Sequence, residues 1–243
     1  MSRALLVIPC YQESERLPRF LPGLLKALAG MEVTIRVVDD GSSPDQQAWL
    51  TGFISELQAT APHLEAAQIN PVNQGKGGAI YSAWDTPGGA ELLAFADADG
   101  AVPAEEVARL LREAISQPAR AVFAVRTGEN GTRVTRAPHR RIAGAVFRRL
   151  VRRLFHFPLP DTQCGCKIIP TAPYTAFRSR LVERRYTFDV ELTWHLLSHG
   201  TEITSLPVHW SERPGSHLRA GSVIAMFRSL RALRRRLGDW HQG

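Results

Sequence analysis

Short unbroken runs of apolar residues alternate with stretches of helical spacing through the first half of the chain. The runs Ala4 to Ile8, Val33 to Val38, Ala66 to Ile69, Glu91 to Ala96 and Ala119 to Val125 are bounded by polar residues, Gly or Pro and read as buried strands. Between them, Leu17 to Leu28 carries apolar residues at helical spacing. Ser43 and Pro44 supply the N-cap and first position of a helix through about Leu57. The glycines around Lys76 lead into a short helix. Pro103 starts another, with Glu105 and Glu106 in its first turn, where the helix dipole favours negative charge. This order predicts an α/β fold, a mainly parallel sheet with helices on both faces. In such sheets ligands bind beyond the carboxyl ends of the strands.

The second half changes character. From Arg140 to Phe155, apolar pairs (Ile142 and Ala143, Val146 and Phe147, Leu150 and Val151, Leu154 and Phe155) alternate with arginine pairs, so a helix there has one apolar and one basic side. Val223 to Leu237 repeats the design, with Met226, Phe227, Leu230, Leu233 and Leu237 on one flank and Arg228, Arg231 and Arg235 elsewhere. Two readings stand for such helices: packing on a core as ordinary surface helices, or lying in an anionic membrane interface.

At 243 residues and 44% hydrophobic content, without a linker or an internal repeat, the chain reads as one domain. Its net charge of +7 implies an anionic partner: nucleic acid, a phosphorylated substrate or a membrane surface. The three cysteines, Cys10, Cys164 and Cys166, lack the paired spacing of a zinc site and are expected as reduced packing residues. Met1-Ser2-Arg3 runs straight into a strand, and no apolar stretch is long enough to span a bilayer, so a cytoplasmic protein is expected.

The chemistry gathers at the strand ends. Phe95-Ala96-Asp97-Ala98-Asp99-Gly100 closes an apolar strand with two carboxylates one residue apart; on extended backbone both point the same way and reach one hard cation, which can hold a diphosphate. Pro9, Tyr11 and Glu13 follow the first strand, and Asp39 and Asp40 end the second. Asp39-Asp40-Gly41-Ser42-Ser43 suits hydrogen bonds from a nucleobase or ribose, and equally a turn with a helix cap. Asn73-Gln74-Gly75-Lys76-Gly77-Gly78 offers a cation in a backbone-exposing loop, fit for a phosphate. It is not a Walker A loop, and no Gly-x-Gly-x-x-Gly follows the first strand, which disfavours a dinucleotide enzyme.

In order and spacing, Val7-Ile8-Pro9-Cys10-Tyr11-Gln12-Glu13, Val37-Val38-Asp39-Asp40-Gly41-Ser42, Asn73-Gln74-Gly75-Lys76-Gly77 and Asp97-Ala98-Asp99-Gly100 resemble glycosyltransferase family 2, inverting nucleotide-sugar transferases of the Rossmann-like GT-A fold. Four later blocks, Asp161 to Lys167, Val182 to Arg184, Phe188 to Leu192 and His209 to Ser216, are similar to those of dolichyl-phosphate β-glucosyltransferases. The resemblance implies a single domain over 1–243, with a nucleotide-sugar half (1–127) and an acceptor half (128–243). It implies donor contacts from Pro9, Tyr11, Glu13, Asp39, Asp40, Asn73, Gly75, Lys76 and Asp97, with Mg²⁺ or Mn²⁺ on Asp97 and Asp99. Asp97, Asp99, Asp161, Asp189 and Lys76 are the expected catalytic set. Cation charge and Lys76 stabilise the departing nucleoside diphosphate, while an acceptor phosphate, already anionic, needs no strong base. The roles of Asp161, Asp189 and Glu191 stay open; for Glu191, in an expected helix, a salt bridge stands beside a contact to acceptor or sugar.

Arg126, Arg136, Gln163, Glu191, Trp210 and Ser216 fall on the acceptor side, with Arg126 and Arg136 expected at the acceptor phosphate. The implied partners are a UDP-sugar, a polyprenyl phosphate and the cytoplasmic face of an anionic membrane, with peripheral attachment and no nucleic acid. The implied reaction is transfer of glucose from UDP-glucose to polyprenyl phosphate with inversion. Another donor such as GDP-mannose, or a soluble phosphorylated acceptor, is the enzymatic alternative. A nucleic-acid binder rests on basicity alone, without a helix-turn-helix, zinc module or aromatic stacking set. Intact Asp97, Asp99 and Lys76 argue against an inactive sensor.

Overall fold

A computed structural model describes residues 3–135, 138–185, 187–213 and 220–238, with side chains of 138–143 and 220–224 excluded. Arg136 and Ser216 therefore lie outside the described residues. The chain runs β1 (Ala4–Cys10), α1 (Leu17–Ala27), β2 (Val33–Asp40), α2 (Pro44–Gln58), β3 (Gln68–Asn70), α3 (Lys76–Trp84), β4 (Leu92–Ala96), α4 (Ala104–Ser116), β5 (Ala121–Val125), β6 (Val134–Thr135) and α5 (Pro138–Phe155). It continues with β7 (Cys166–Pro170), α6 (Thr171–Phe177), a 3₁₀ turn (Arg178–Arg180), α7 (Phe188–Ser198), β8 (Ile203–Pro207), β9 (Trp210–Ser211) and α8 (Ala220–Leu237). No described helix is long and apolar enough to cross a membrane.

Among the described residues a seven-stranded sheet has the order β3-β2-β1-β4-β7-β5-β8, and β6 pairs with β9 in a small second sheet. The expected parallel arrangement holds for β1 with β2 and β4, β2 with β3, and β5 with β8. One strand departs from it: β7 lies antiparallel between β4 and β5. Its sequence, Cys166-Lys167-Ile168-Ile169-Pro170, hides a strand because a lysine interrupts the apolar run. That lysine is wholly buried.

Strand alternation divides the core. Leu6 and Ile8 of β1, Ile35 and Val37 of β2 and Ala94 of β4 face the layer of α1, α2 and α4. Leu5, Val7, Val38, Leu93 and Phe95 face α3, α6 and α7, with Phe147 and Val151 of α5 and Leu230 and Leu233 of α8. Helix α1 buries Leu17, Phe20, Leu21, Leu24 and Leu25, the three-four spacing of one helical face, and carries a Pro at its start. On α5 and α8 the residues Phe147, Val151, Phe155, Leu230 and Leu233 follow the core-packing reading, whereas Val146 is exposed; Phe147 and Phe227 meet at 6.3 Å between ring centroids.

Strand bounds shift for local reasons. β2 extends through Asp40, so both acids lie on extended backbone, whereas β4 ends at Ala96. Asp97 to Gly100 then forms a turn instead of the expected extended continuation.

A buried imidazole gives the fold a pH dependence. His195 of α7 stacks on Phe177 at 5.2 Å and meets Trp194 edge-on, and among the described residues neither ring nitrogen has a hydrogen-bond partner. Burial pushes its pKa down from 6.5 to about 4. Between those values the unfolded chain binds a proton that the folded chain excludes, so stability falls as pH drops through that window and is regained as pH rises. Urea unfolding near pH 7 and near pH 5 is expected to show a loss of about 2 kcal/mol in the parent that is missing in His195→Leu.

Candidate active site

A cavity of about 480 Å³ opens at the carboxyl ends of β1, β2 and β4. Pro9, Cys10, Tyr11, Glu13 and Arg16 line it from the end of β1 and the turn into α1. Asp40 enters from β2, Asn73, Gly75 and Lys76 from the start of α3, and Asp97, Ala98 and Asp99 from the turn after β4. Gln163, Arg185, Phe188, Asp189 and, from α8, Met226 complete the wall.

The carboxylate turn is held tightly. The Asp97 N–H donates to the Gly165 carbonyl at 2.9 Å, and the Ala101 N–H donates to Asp99 Oδ1 at 2.9 Å. Gly165 is required by contact, because a Cβ there would stand 2.0 Å from Asp97 Oδ2. Lys76 Nζ bridges to Asp97 Oδ1 at 2.5 Å and sits over the rings of Phe95 and Phe188 at 4.9 and 5.6 Å. Burial opposes the Lys76 charge, but Asp97 and Asp189 more than offset it, and the ammonium is held above the usual lysine range. Burial and then the neighbouring Asp97 raise Asp99. Glu13 is likewise raised by burial, against the opposing effect of Arg16, whose Nε donates to Glu13 Oε2 at 2.7 Å.

A second ion pair stands behind the wall. Lys167 Nζ donates to Asp189 Oδ1 and to the Cys164 carbonyl, both at 2.8 Å, and lies 5.2 Å from the Phe95 ring centroid. Phe95 is therefore flanked by two ammonium groups, Lys76 and Lys167, each tied to a carboxylate of the cavity.

The acids of β2 separate. Asp40 lines the cavity, but both its oxygens are engaged: the Gln74 N–H donates to Oδ1 at 2.8 Å and the Gly75 N–H to Oδ2 at 2.7 Å. It builds the loop that presents Lys76. Asp39 is on the opposite face and outside this cavity, accepting from the Ser42 N–H at 2.9 Å and Gln47 Nε2 at 3.2 Å. These bonds fit the turn reading of Asp39, while Ser43 at the start of α2 makes no side-chain capping bond.

Of the remaining expected catalytic and acceptor residues, Gln163 and Asp189 reach the cavity, whereas Arg126, Asp161, Glu191 and Trp210 do not line it. Arg126 is committed to Asp161, with Nε to Oδ2 at 2.6 Å and Nη2 to Oδ1 at 2.9 Å, and lies 5.6 Å from the Trp210 ring centroid. Although burial alone would raise Asp161, the guanidinium brings its pKa down to about 2. A buried, doubly bonded carboxylate of this kind orients an arginine; it is not placed to take a proton. Glu191 is wholly buried and pairs with Arg236 Nη1 at 2.6 Å, the salt-bridge alternative. Arg16, Arg185, Phe188 and Met226 are cavity residues that the sequence did not single out. Arg16 carried a signal in its three-residue spacing from Glu13, and Phe188 in opening the block Phe188 to Leu192.

Residues 5–185 match the family described as Glycosyl transferase family 2. The chain belongs to this family. A dolichyl-phosphate beta-glucosyltransferase of Trichomonas vaginalis is 27% identical over 97% of this chain and 74% of its own length. A polyprenol monophosphomannose synthase of Mycolicibacterium smegmatis is 32% identical over 93% of this chain and 85% of its own. Among solved structures, glucosyl-3-phosphoglycerate synthase from Mycobacterium tuberculosis in complex with UDP superposes with a TM-score of 0.65 at 15% identity, covering 100% of this chain and 82% of that one. A mannosyltransferase from Pyrobaculum calidifontis in complex with GDP-Man and Mn²⁺ gives 0.61 at 14% identity, over 95% of this chain and 61% of that one. These likenesses show the GT-A fold.

The donor set of this glycosyltransferase suits a hard divalent ion. Among the described residues no group of three or more His, Cys, Asp or Glu side chains is placed to hold a metal. Asp97 and Asp99 would offer such a cation two carboxylates, and its remaining oxygens would have to come from ligand and water.

Proposed function

We propose that this glycosyltransferase transfers glucose from UDP-glucose to a polyprenyl phosphate with inversion, giving a β-linked lipid-phosphate sugar. The observation that carries this reading is the union of Asp97, Asp99 and Lys76 in one cavity at the ends of parallel strands, in a chain whose relatives include a dolichyl-phosphate beta-glucosyltransferase. Residues 1–127 form the nucleotide-sugar half and 128–243 the acceptor half.

Asp97 and Asp99 would hold Mg²⁺ or Mn²⁺, which when bound would supply Lewis-acid charge to the diphosphate. Lys76, already charged and aimed by Asp97, turns to the diphosphate oxygens where negative charge grows as the glycosidic bond breaks. Phe95 and Phe188 exclude water behind it. Asp40 fixes the Gln74-Gly75 backbone, and Tyr11, Glu13 and Asn73 line the nucleoside end. Gln163 and the Asp189 oxygen not bonded to Lys167 face the sugar and acceptor. The incoming phosphate is anionic at neutral pH and attacks without a strong base.

Arg126 occupies both Asp161 oxygens, so the nearby half-buried Arg148 adds positive charge that this carboxylate does not pair. That excess beside Gln163 favours an acceptor phosphate there. Arg149, Arg152 and Arg153 of α5 and Arg228, Arg231 and Arg235 of α8 are exposed. None makes an ion pair among the described residues. Such a face favours peripheral contact with the anionic cytoplasmic leaflet, leaving the lipid tail in the bilayer.

The 32% identical polyprenol monophosphomannose synthase favours GDP-mannose as the second donor to test. Enzyme, Mn²⁺ and polyprenyl phosphate incubated with labelled UDP-glucose are expected to move label into an organic extract. Label extracted from GDP-mannose instead replaces the donor. With neither donor, the acceptor assignment fails.

A further inference from the structure

One wall of the cavity is built from backbone with little regular structure. Residues 181–187 lie between the 3₁₀ turn and α7, outside any helix or strand where described, yet Arg185 and the adjoining Phe188 and Asp189 face the cavity. The segment presses directly on the start of α3: the Gly78 N–H donates to the Arg184 carbonyl at 3.1 Å, and a Cβ on Gly77 would stand 2.6 Å from Phe188 Cβ. A shift of this segment moves Phe188 from Lys76 and Asp189 from the cavity.

Two acids hold it, and both lean on α8. Glu191 Oε2 accepts the N–H groups of Val182 at 3.0 Å and Glu183 at 2.6 Å, which uses a buried carboxylate to pin a loop. Its other oxygen meets Arg236 Nη1 at 2.6 Å. Glu183 Oε2 accepts from Thr187 Oγ1 at 2.7 Å and from Ser229 Oγ at 2.8 Å, while Arg236 Nη2 stands 3.8 Å from Glu183 Oε1. Ser229 and Thr187 hydroxyls are themselves 2.5 Å apart. The same helix contributes Met226 to the cavity wall.

We propose that Arg236 and Ser229 of α8 are positioning residues for the donor site: through Glu191 and Glu183 they clamp segment 181–187 against α3 and so set Arg185, Phe188 and Asp189. Neither touches the cavity. Their effect on nucleotide binding rests on the reading given under Proposed function; the clamp itself does not.

The test compares the parent with Arg236→Gln, Arg236→Lys and Ser229→Ala in the full chain, by amide hydrogen exchange without ligand and by calorimetric titration of UDP with Mn²⁺. Arg236→Gln is expected to speed exchange of the 181–188 amides by about tenfold or more while the amides of β1 and β4 keep parental protection. UDP affinity is expected to fall by about tenfold, with Arg236→Lys restoring most of it and Ser229→Ala giving a smaller loss in the same direction. Parental exchange in 181–188 overturns the clamp. Faster exchange with parental UDP affinity overturns the positioning role and leaves α8 a packing helix. If Arg236→Gln does not fold, Ser229→Ala decides by the same two readouts. A parent that binds no UDP counts against the donor assignment, while the exchange arm still judges the clamp.

Discussion

Asp97→Asn is expected to lower kcat by about 10²–10³-fold or more with only a small change in melting temperature. Asparagine preserves the shape of the side chain and the packing against Gly165, where a Cβ has no room. What it removes is charge: the partner of Lys76 at 2.5 Å and one of the two carboxylates available to a divalent ion. In the proposed reaction both losses fall where the leaving diphosphate would develop negative charge, so they are expected to weaken the transition state more than the folded state. Turnover from the organic-extraction assay, set beside a thermal melt, separates the two. A turnover loss no larger than the melt explains would reduce Asp97 to a structural ion-pair partner.

The second large effect is on stability. Lys167→Met leaves Asp189 without the ammonium at 2.8 Å and the Cys164 carbonyl without its donor, in a place where the lysine is wholly buried. Breaking a buried pair from one side costs about 3–5 kcal/mol, because the remaining charge stays in a medium that cannot solvate it. Replacing both partners, Lys167→Met with Asp189→Leu, is expected to recover most of that stability while abolishing turnover, since Asp189 faces the cavity. Urea unfolding of the single and double variants measures the difference. A single-variant loss below about 1 kcal/mol would mean that water reaches the pair and that it does not fix the cavity wall.

The first half of the site was legible because β1, β2 and β4 are apolar runs that end abruptly in polar residues, and parallel sheets gather those ends on one edge. The same periodicity separates the two acids of β2. Val37 and Asp39 share the face of α1 and α2, whereas Val38 and Asp40 share the face of α3, so adjacent acids part company. Sequence alone does not say which face holds the cavity. Lys167 masked β7 by placing a charge inside a strand, an arrangement intelligible only once Asp189 of a distant helix is seen to meet it.

Arg185 escaped the sequence for another reason, while Phe188 entered only as the first residue of a resembling block. Segment 181–187 has no hydrophobic period to read, and its shape comes from Glu183 and Glu191 accepting bonds from partners on the loop and α8. Arg126, expected at the acceptor, and Glu191, for which a salt bridge stood beside an acceptor contact, illustrate the reverse case. Each is a charged residue in a motif, and each is spent on an internal partner, Asp161 or Arg236.

The most direct measurement is calorimetric titration of UDP into the parent chain with Mn²⁺ and with a chelator, repeated on Asp97→Asn with Asp99→Asn. Binding about tenfold or more tighter with Mn²⁺ in the parent, and no such difference in the double variant, is the expected result. UDP affinity that ignores both the ion and the two carboxylates would contradict a diphosphate site built on Asp97 and Asp99.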